Sequence, residues 1–265
     1  MVTGDTAVVR VDSRENFQKL EAFAAAYMPA LRPKLEHYTG ARPLFETYNV
    51  EQEIEKALSR RVDLKSGGTL VIDQTEAMTT IDVNTGGFVG QRNFDDTVFK
   101  TNLEAAQSIA RQLRLRNLGG IIVVDFIDMD ERKNRAKVMA ELEQAVRADR
   151  SPSKILSFNE FGLVAITRKR VRQSLERAVC QPCAYCTGSG MVKSPATVSL
   201  EILTEAKKQL PELIGKQITI RVNPEVGKTL KSTASSIIES IEEMSGKGVI
   251  IRNDPSVHME NFYFD

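Results

Sequence analysis

Two aspartates far apart in the chain are the first candidates for chemistry. Asp82 sits in a β-rich run, Thr80-Ile81-Asp82-Val83-Asn84, whose alternation turns it to the face opposite Ile81 and Val83. Asp125 follows the all-apolar run Ile121-Ile122-Val123-Val124, at the C-terminal edge of a strand, where open α/β sheets build their sites. If the two strands are neighbours, the carboxylates converge on one hard cation. Magnesium fits, because it takes oxygen ligands and keeps waters for substrate phosphates. Such an ion polarises a phosphodiester and generates hydroxide from bound water. Asn84 shares the face of Asp82 and can hydrogen-bond a carboxylate or a phosphate oxygen. The plainer alternative is that acids at strand ends cap loops or pair with arginine. Asp128 and Asp130 suit that description better, Asp130 as the cap of the next helix.

The second chemical cluster is Cys180-Gln181-Pro182-Cys183-Ala184-Tyr185-Cys186-Thr187-Gly188-Ser189-Gly190, with two overlapping C-x-x-C steps. Thiolates at that spacing grip one side of a tetrahedral zinc, and the glycines permit a tight turn beneath it. A closed structural site takes four ligands, and only three thiols are here; His37 and His258 lie far off in sequence. Stoichiometry therefore points to a zinc shared by two chains, each giving two cysteines. The alternatives are a metal-free thiol cluster or a redox pair.

The densest basic stretch is Arg168-Lys169-Arg170-Val171-Arg172, with Arg177 beyond it. On a helix some of these side chains line a phosphate track; otherwise they form a solvated charged face. Val226-Gly227-Lys228-Thr229 is not a phosphate loop, since Val222 stands where the first glycine of that motif belongs. Gly86-Gly87-Phe88-Val89-Gly90 leads into no immediate helix and reads as a mobile loop beside the metal, able to close on substrate.

These groups need a scaffold, and the composition allows one. The chain has 265 residues, 42% hydrophobic and 27% charged, enough for one or two domains with a real core and too apolar for wholesale disorder. With 36 Lys and Arg against 35 Asp and Glu, the formal net charge of +1 gives no bulk attraction for a polyanion, so any such binding is local. No stretch approaches the roughly 18 apolar residues of a membrane span, and the opening residues lack a signal pattern. Clustered cysteines argue for a reducing, cytoplasmic setting.

Residues 6–11 read as a strand, and Ser13 caps a helix carrying Phe17, Leu20, Phe23, Ala24 and Tyr27 up to Pro29. Leu35 to Val50 reads as irregular or extended, and a short helix follows over Glu51–Arg60. Gly67-Gly68 marks the first boundary. Thr69–Asp73 and Thr79–Asn84 form a hairpin. Asp95 and Asp96 open a helix with Val98, Phe99, Leu103, Ala106, Ile109, Ala110 and Leu113 inward. Ile121–Val124 reads as a strand buried on both faces, then comes a helix with Met139, Leu142 and Val146 inward. Phe161–Thr167 reads as a strand leading into a basic helix, Arg168–Val179. Beyond the cysteines lies a small αβ unit: a helix through Val198, Ile202, Leu203, Ala206 and Leu210, a strand Gln217–Val222, a helix Ser236–Met244 and a strand Gly248–Ile251.

The run from Gly67 to Gly86, with Asp73-Gln74-Thr75-Glu76-Ala77-Met78 and Asp82-Val83-Asn84-Thr85-Gly86 inside it, resembles the catalytic segment of the ribonuclease E/G endoribonucleases. Thr101-Asn102-Leu103-Glu104-Ala105-Ala106, Arg111-Gln112-Leu113-Arg114-Leu115-Arg116-Asn117-Leu118-Gly119-Gly120 and Val124-Asp125-Phe126-Ile127-Asp128-Met129 match in order and spacing. The resemblance implies that Asp82 and Asp125 hold a catalytic Mg2+ and that Asn84 supports the scissile phosphate. It implies hydrolysis of an internal phosphodiester of single-stranded RNA, leaving a 5′-phosphate and a 3′-hydroxyl. Arg168, Lys169 and Arg170 become candidate RNA-binding residues, and Ala165 stands where the family carries an acid. The family's zinc-link is C-P-x-C with a G-x-G turn, which Cys183, Cys186, Gly188 and Gly190 match and Cys180 does not. The implied assembly is a homodimer around Zn2+, with two dimers pairing into a tetramer as a further expectation.

The implied fold is α/β. A partial RNase H-like segment (residues 1–65) precedes a DNase I-like catalytic subdomain (66–178), a zinc-link (179–190) and a small C-terminal αβ oligomerisation domain (191–265). The family's OB-fold and 5′-monophosphate sensor have no counterpart here, so the chain reads as a fragment. The competing reading is a zinc-linked dimeric RNA-binding scaffold without turnover, and a DNA-directed nuclease is a third.

Overall fold

In the computed structural model the described residues are 6–86, 94–209 and 217–265. The chain divides into two compact units, Met1–Cys180 and Gln181–Asp265. No helix among the described residues is long and apolar enough to cross a membrane.

The first unit opens with a parallel pair, β1 (Val9–Val11) and β2 (Leu35–His37), joined through α1 (Arg14–Tyr27). Ser13 caps α1 by accepting the Asn16 N–H, as its position predicts. Of the apolar residues at helical spacing, Ala24 is buried, while Phe23 and Tyr27 are exposed. The stretch read as irregular or extended carries a short helix, α2 (Leu44–Thr47), before α3 (Val50–Leu58).

The body of the unit is a six-stranded sheet in the order β3-β4-β5-β6-β8-β7. Its strands are β3 (Arg61–Asp63), β4 (Thr69–Gln74), β5 (Met78–Asn84), β6 (Gly120–Asp125), β7 (Ser153–Ile155) and β8 (Leu163–Arg168). Only β5 and β6 run parallel; the other neighbours are antiparallel. A parallel pair needs a long crossover, and α4 (Phe94–Leu115) supplies it. Helices α4 and α5 (Arg132–Arg147) pack on each other, and together they cover one sheet face. Leu70, Ile72, Ile81, Val83, Ile122, Val124, Val164 and Ile166 point into that core.

Several expectations need correction. The Gly67-Gly68 boundary is the turn of a hairpin: β3 pairs with β4 across it, so Arg61–Asp63 belongs to the sheet. Ile121–Val124 is not buried on both faces, because helices cover only one; Ile122 and Val124 are buried and Ile121 is exposed. Asp130 does not cap α5; Glu131 occupies the cap position without a side-chain bond. Residues 168–179 are not one basic helix. The β8 ladder continues through Arg168, opposite Gly120 and Ser153, and only α6 (Leu175–Val179), capped by Ser174, is helical.

The second unit has a three-stranded sheet, β10-β9-β11. Its elements are α7 (Pro195–Gln209), β9 (Gln217–Val222), α8 (Pro224–Lys231), α9 (Ser235–Ser245), β10 (Gly248–Asn253) and β11 (Phe262–Phe264). Two were missed in the sequence, α8 and β11. Val226-Gly227-Lys228-Thr229 lies inside α8, which removes the phosphate-loop reading for good. Leu210, expected on the first helix, lies outside the described residues.

Arg168 is the polar keystone of the first unit. Its side chain is 4% exposed and grips Asp149 with Nε (2.6 Å) and Nη2 (3.2 Å), while Nη1 donates to the Leu118 carbonyl at 2.6 Å. Burial pushes the Asp149 carboxyl up, but the bonds from Arg168 and the Ser151 amide outweigh it and hold it below the usual range. Removing one partner of such a pair strands the other, so Arg168→Ala is expected to cost about 3–5 kcal/mol in urea unfolding. A lowered folded pKa means that the pair stabilises fully above about pH 4 and loses its effect as pH falls through the folded value. The acid-side decline in stability is therefore expected to be shallower in Arg168→Ala; an equal decline would show that the pair contributes nothing.

Candidate active site

Asp82 and Asp125 are register partners on the parallel strands β5 and β6. Both leave the sheet on its open face, where their carboxylates are exposed, while Ile81, Val83 and Val124 fill the core behind them. The two strands are neighbours, and both side chains lie on the same face of the sheet. Burial pushes the Asp125 carboxyl above its usual value, and the charges of Asp82 and Asp128 push it further. Asp128, set aside in the sequence, thus adds to the local negative field. The Asn84 amide Nδ2 donates to Asp82 Oδ2 at 2.9 Å, which fixes that carboxylate. Of the two roles open to Asn84, carboxylate support is the one seen.

Two residues that the sequence did not single out hold this corner together. Asn102 is fully buried in α4, donating Nδ2 to the Ile127 carbonyl (2.8 Å) and accepting the Ile127 N–H (3.1 Å). It clamps the segment that leaves Asp125. Its signal was legible in principle: an amide on an otherwise apolar helix face has to find partners. Glu104 accepts the backbone N–H groups of Lys65 and of Ser66 (2.8 Å), tying α4 to the β3–β4 turn. Burial pushes the Glu104 carboxyl up, and the Ser66 side chain with the Ser66 and Lys65 amides reverses this, so it stays below the usual value. A Cβ on Gly68 would meet the Asn84 carbonyl and the Thr101 methyl at 2.7 Å, so the end of β5 requires glycine there.

Among the described residues no group of three or more His, Cys, Asp or Glu side chains is arranged to hold a metal ion. A pair of carboxylates alone suits a hard cation that completes its shell with water or phosphate oxygens, as magnesium does. The mutual repulsion at Asp125 is what such a cation relieves. Ala165, opposite Val123 on β8, lies on the same face and offers no ligand. Of the loop expected to close on substrate, Gly86-Gly87-Phe88-Val89-Gly90, all but Gly86 lies outside the described residues.

The predicted RNA-binding trio separates. Arg168 is buried and fully committed to Asp149, Leu118 and Asn117, so it leaves the surface set. Lys169 and Arg170 are exposed, and Arg170 Nε donates to the Gly119 carbonyl at 3.0 Å.

In the second unit, Cys183 is exposed and Cys186 half-buried. The Gly190 N–H donates to Cys186 Sγ at 3.4 Å, and it and the Gly188 N–H lower the thiol pKa. Positive φ at Thr187, Gly188 and Gly190 lets those amides turn inward. His258, remote in sequence, packs on Tyr185 between the cysteines, with ring centroids 4.2 Å apart. The Glu260 N–H donates to His258 Nδ1 at 3.2 Å, which leaves the proton on Nε2 to donate to the Tyr185 carbonyl at 2.7 Å. His258 is thus a buttress for the thiol hairpin, and both of its nitrogens are spoken for. Cys183 and Cys186 remain the candidate metal donors of this unit.

A family model described as "Ribonuclease E/G family" matches residues 1–171, and one described as "RNase E/G, Thioredoxin-like domain" matches residues 182–265. Ribonuclease G of Salmonella typhimurium (strain SL1344) is 48% identical over 254 residues, covering 96% of this chain and 52% of that protein. The chloroplastic ribonuclease E/G-like protein of Arabidopsis thaliana is 42% identical over 205 residues, 77% of this chain and 20% of that one. Ribonuclease E of Haemophilus influenzae is 35% identical over 260 residues, 98% of this chain and 28% of that one. The chain spans about half the length of the ribonuclease G relatives that it matches.

The electrostatic coupling of the two acids is measurable without any turnover. Asp82→Asn is expected to lower the Asp125 carboxyl toward the ordinary range near pH 4 in an NMR titration of the metal-free protein. An unmoved titration would mean that the two side chains do not face each other.

Proposed function

The chain belongs to the ribonuclease E/G family, and on that premise we propose that it is the catalytic and dimerisation portion of an endoribonuclease. The observation that carries this reading is the pairing of Asp82 with Asp125 across two parallel strands. The substrate is single-stranded RNA, and the setting is cytoplasmic RNA processing and decay.

In this reading Asp82 and Asp125 hold one Mg2+. When bound, that ion polarises the scissile phosphodiester and lowers the pKa of a coordinated water. The protein's own part is positional. Asn84 holds Asp82 in one orientation, Asn102 fixes the chain that leaves Asp125, and Glu104 secures the turn beside the end of β5. Hydrolysis adds the water oxygen to phosphorus and releases the 3′ oxygen as a hydroxyl, so the phosphate stays on the 5′ end.

Cys183 and Cys186 from each of two chains supply the four thiolates of one structural Zn2+, with Cys180 outside the set. Residues 1–65 correspond to a partial RNase H-like segment, with β3 completing the sheet of the DNase I-like catalytic part at 66–178. The link spans 179–190, and the oligomerisation domain 191–265.

On a single-stranded RNA oligonucleotide, Asp82→Asn or Asp125→Asn is expected to reduce magnesium-dependent cleavage by about 100-fold or more with the melting temperature retained. Asn84→Ala, which frees Asp82, is expected to cost about 10–100-fold. Unchanged rates would remove these acids from the site, and binding without new 5′-phosphate ends would favour the scaffold reading. For the link, native mass spectrometry is expected to find one zinc per two chains, with Cys183→Ser giving zinc-free monomers. One zinc per chain would defeat the shared site.

A further inference from the structure

At the ends of β5 and β6 opposite to Asp82 and Asp125, the edge of the sheet opens into a cavity of about 370 Å³. Arg170, Arg172 and Arg177 line it, together with Gln74, Asn117 and Gly119, and no acid does. Among the described residues none of these arginines forms an ion pair with an Asp or Glu. The neighbouring Glu176 accepts a hydrogen bond from Gln74 at 2.7 Å, and its charge acts on the buried Arg116.

The wall is built rather than incidental. Arg170 lies across Gly119 and Gly120, bonded to the Gly119 carbonyl at 3.0 Å. A Cβ on Gly119 would sit 2.6 Å from Arg170 Cγ, and one on Gly120 2.8 Å from its Nη2, so both glycines make room for this side chain. Gly120 has φ +91° besides, a backbone that other residues rarely adopt. Asn117 is buried and donates Nδ2 to the carbonyls of Arg172 (3.1 Å) and Gln173 (2.9 Å), which pins the backbone that carries the second arginine. Three arginines thus line one cavity, none of them ion-paired to a carboxylate among the described residues, on a chain whose net charge of +1 provides no general attraction for anions. Guanidinium forks match phosphate oxygens in geometry and charge, and a bound phosphate relieves the repulsion among them.

We propose that this cavity is a phosphate-binding pocket, and that its occupant is a backbone phosphate of the RNA strand cut at Asp82 and Asp125. Met78, at the pocket, and Asp82 are four residues apart on β5, which is roughly 13 Å at about 3.3 Å per residue. A strand running along β5 and β6 touches both ends, so the pocket anchors it at a set distance from the cut. The pocket stands on its own geometry; the identity of its occupant rests on the RNA reading above.

The test is fluorescence anisotropy of a labelled single-stranded RNA with the full chain in EDTA, across a salt series. Arg172→Gln/Arg177→Gln is expected to weaken binding about tenfold or more. The slope of log affinity against log salt is expected to fall by about 0.7 for each phosphate that the variant no longer neutralises. Both residues are exposed, so the fold is expected to survive, which a melting curve checks. Lys207→Gln/Lys231→Gln, which removes the same charge from exposed positions in the second unit, is expected to leave affinity and slope near wild type. Equal losses in both double variants, or no loss in the arginine pair while the wild type binds, would overturn the pocket. If the wild type binds no RNA, the RNA reading fails separately and pyrophosphate becomes the probe in calorimetry. Binding that vanishes in the arginine variant keeps a phosphate pocket for a free anion, and no binding overturns it.

Discussion

One register places the two candidate acids: β5 lies parallel to β6 with Asp82 directly opposite Asp125. Side chains alternate along a strand, so a slip of one residue would send one carboxylate into the apolar core and break the pair. The slip is prevented by what lies behind the acids. Ile81, Val83, Ile122 and Val124 are all buried against α4 and α5, and none of them tolerates the open face without loss of that burial. Burial raises the Asp125 carboxyl, and the like charge of Asp82 on the neighbouring strand raises it further, so holding the pair together is unfavourable. The hydrophobic core supplies the stabilisation that keeps them there.

Buried polar groups do the remaining positioning, each by satisfying backbone that the sheet ladders leave out. Asn102 takes both groups of Ile127, Glu104 takes two amides of the β3–β4 turn, and Asn117 takes two carbonyls of the 172–173 segment. Arg168 does the same for Leu118 while paired with Asp149. An unsatisfied buried group costs about 1–3 kcal/mol, so these bonds hold residues 65–66, 118, 127 and 172–173 in place. The carboxylate end and the arginine-lined end are the two ends of one pair of strands. The thiol hairpin of the second unit follows the same logic, with His258 and Tyr185 holding the turn while glycine amides favour the thiolate of Cys186.

Much of the site was readable before folding. Asp82 and Asp125 stand out in the sequence as acids placed on or beside apolar strands; the spacing offers three cysteines, and only the resemblance singles out Cys183 and Cys186. The elements around them followed from period and punctuation: the β4–β5 hairpin, α4 after its paired acids, and β9 with its bounds. The misreadings share a cause. Arg168 looked like the start of a basic helix because charge suggests solvent, yet a guanidinium given a buried carboxylate and a carbonyl becomes part of a core strand. Ile121 looked buried because its run is wholly apolar, yet it faces away from the core under α4 and α5 and is exposed.

By itself, then, the amino-acid order determined which groups are capable of chemistry and which segments are strands, helices and turns, since propensity, alternation and capping act over a few residues. The tertiary structure decided which distant groups meet: Asp82 with Asp125, His258 with the cysteine hairpin, and three arginines around one cavity rather than spread along a helix. Those meetings depend on strand order and on which face the helices cover, and both are set by packing many apolar side chains at once, a property that no local stretch of sequence contains.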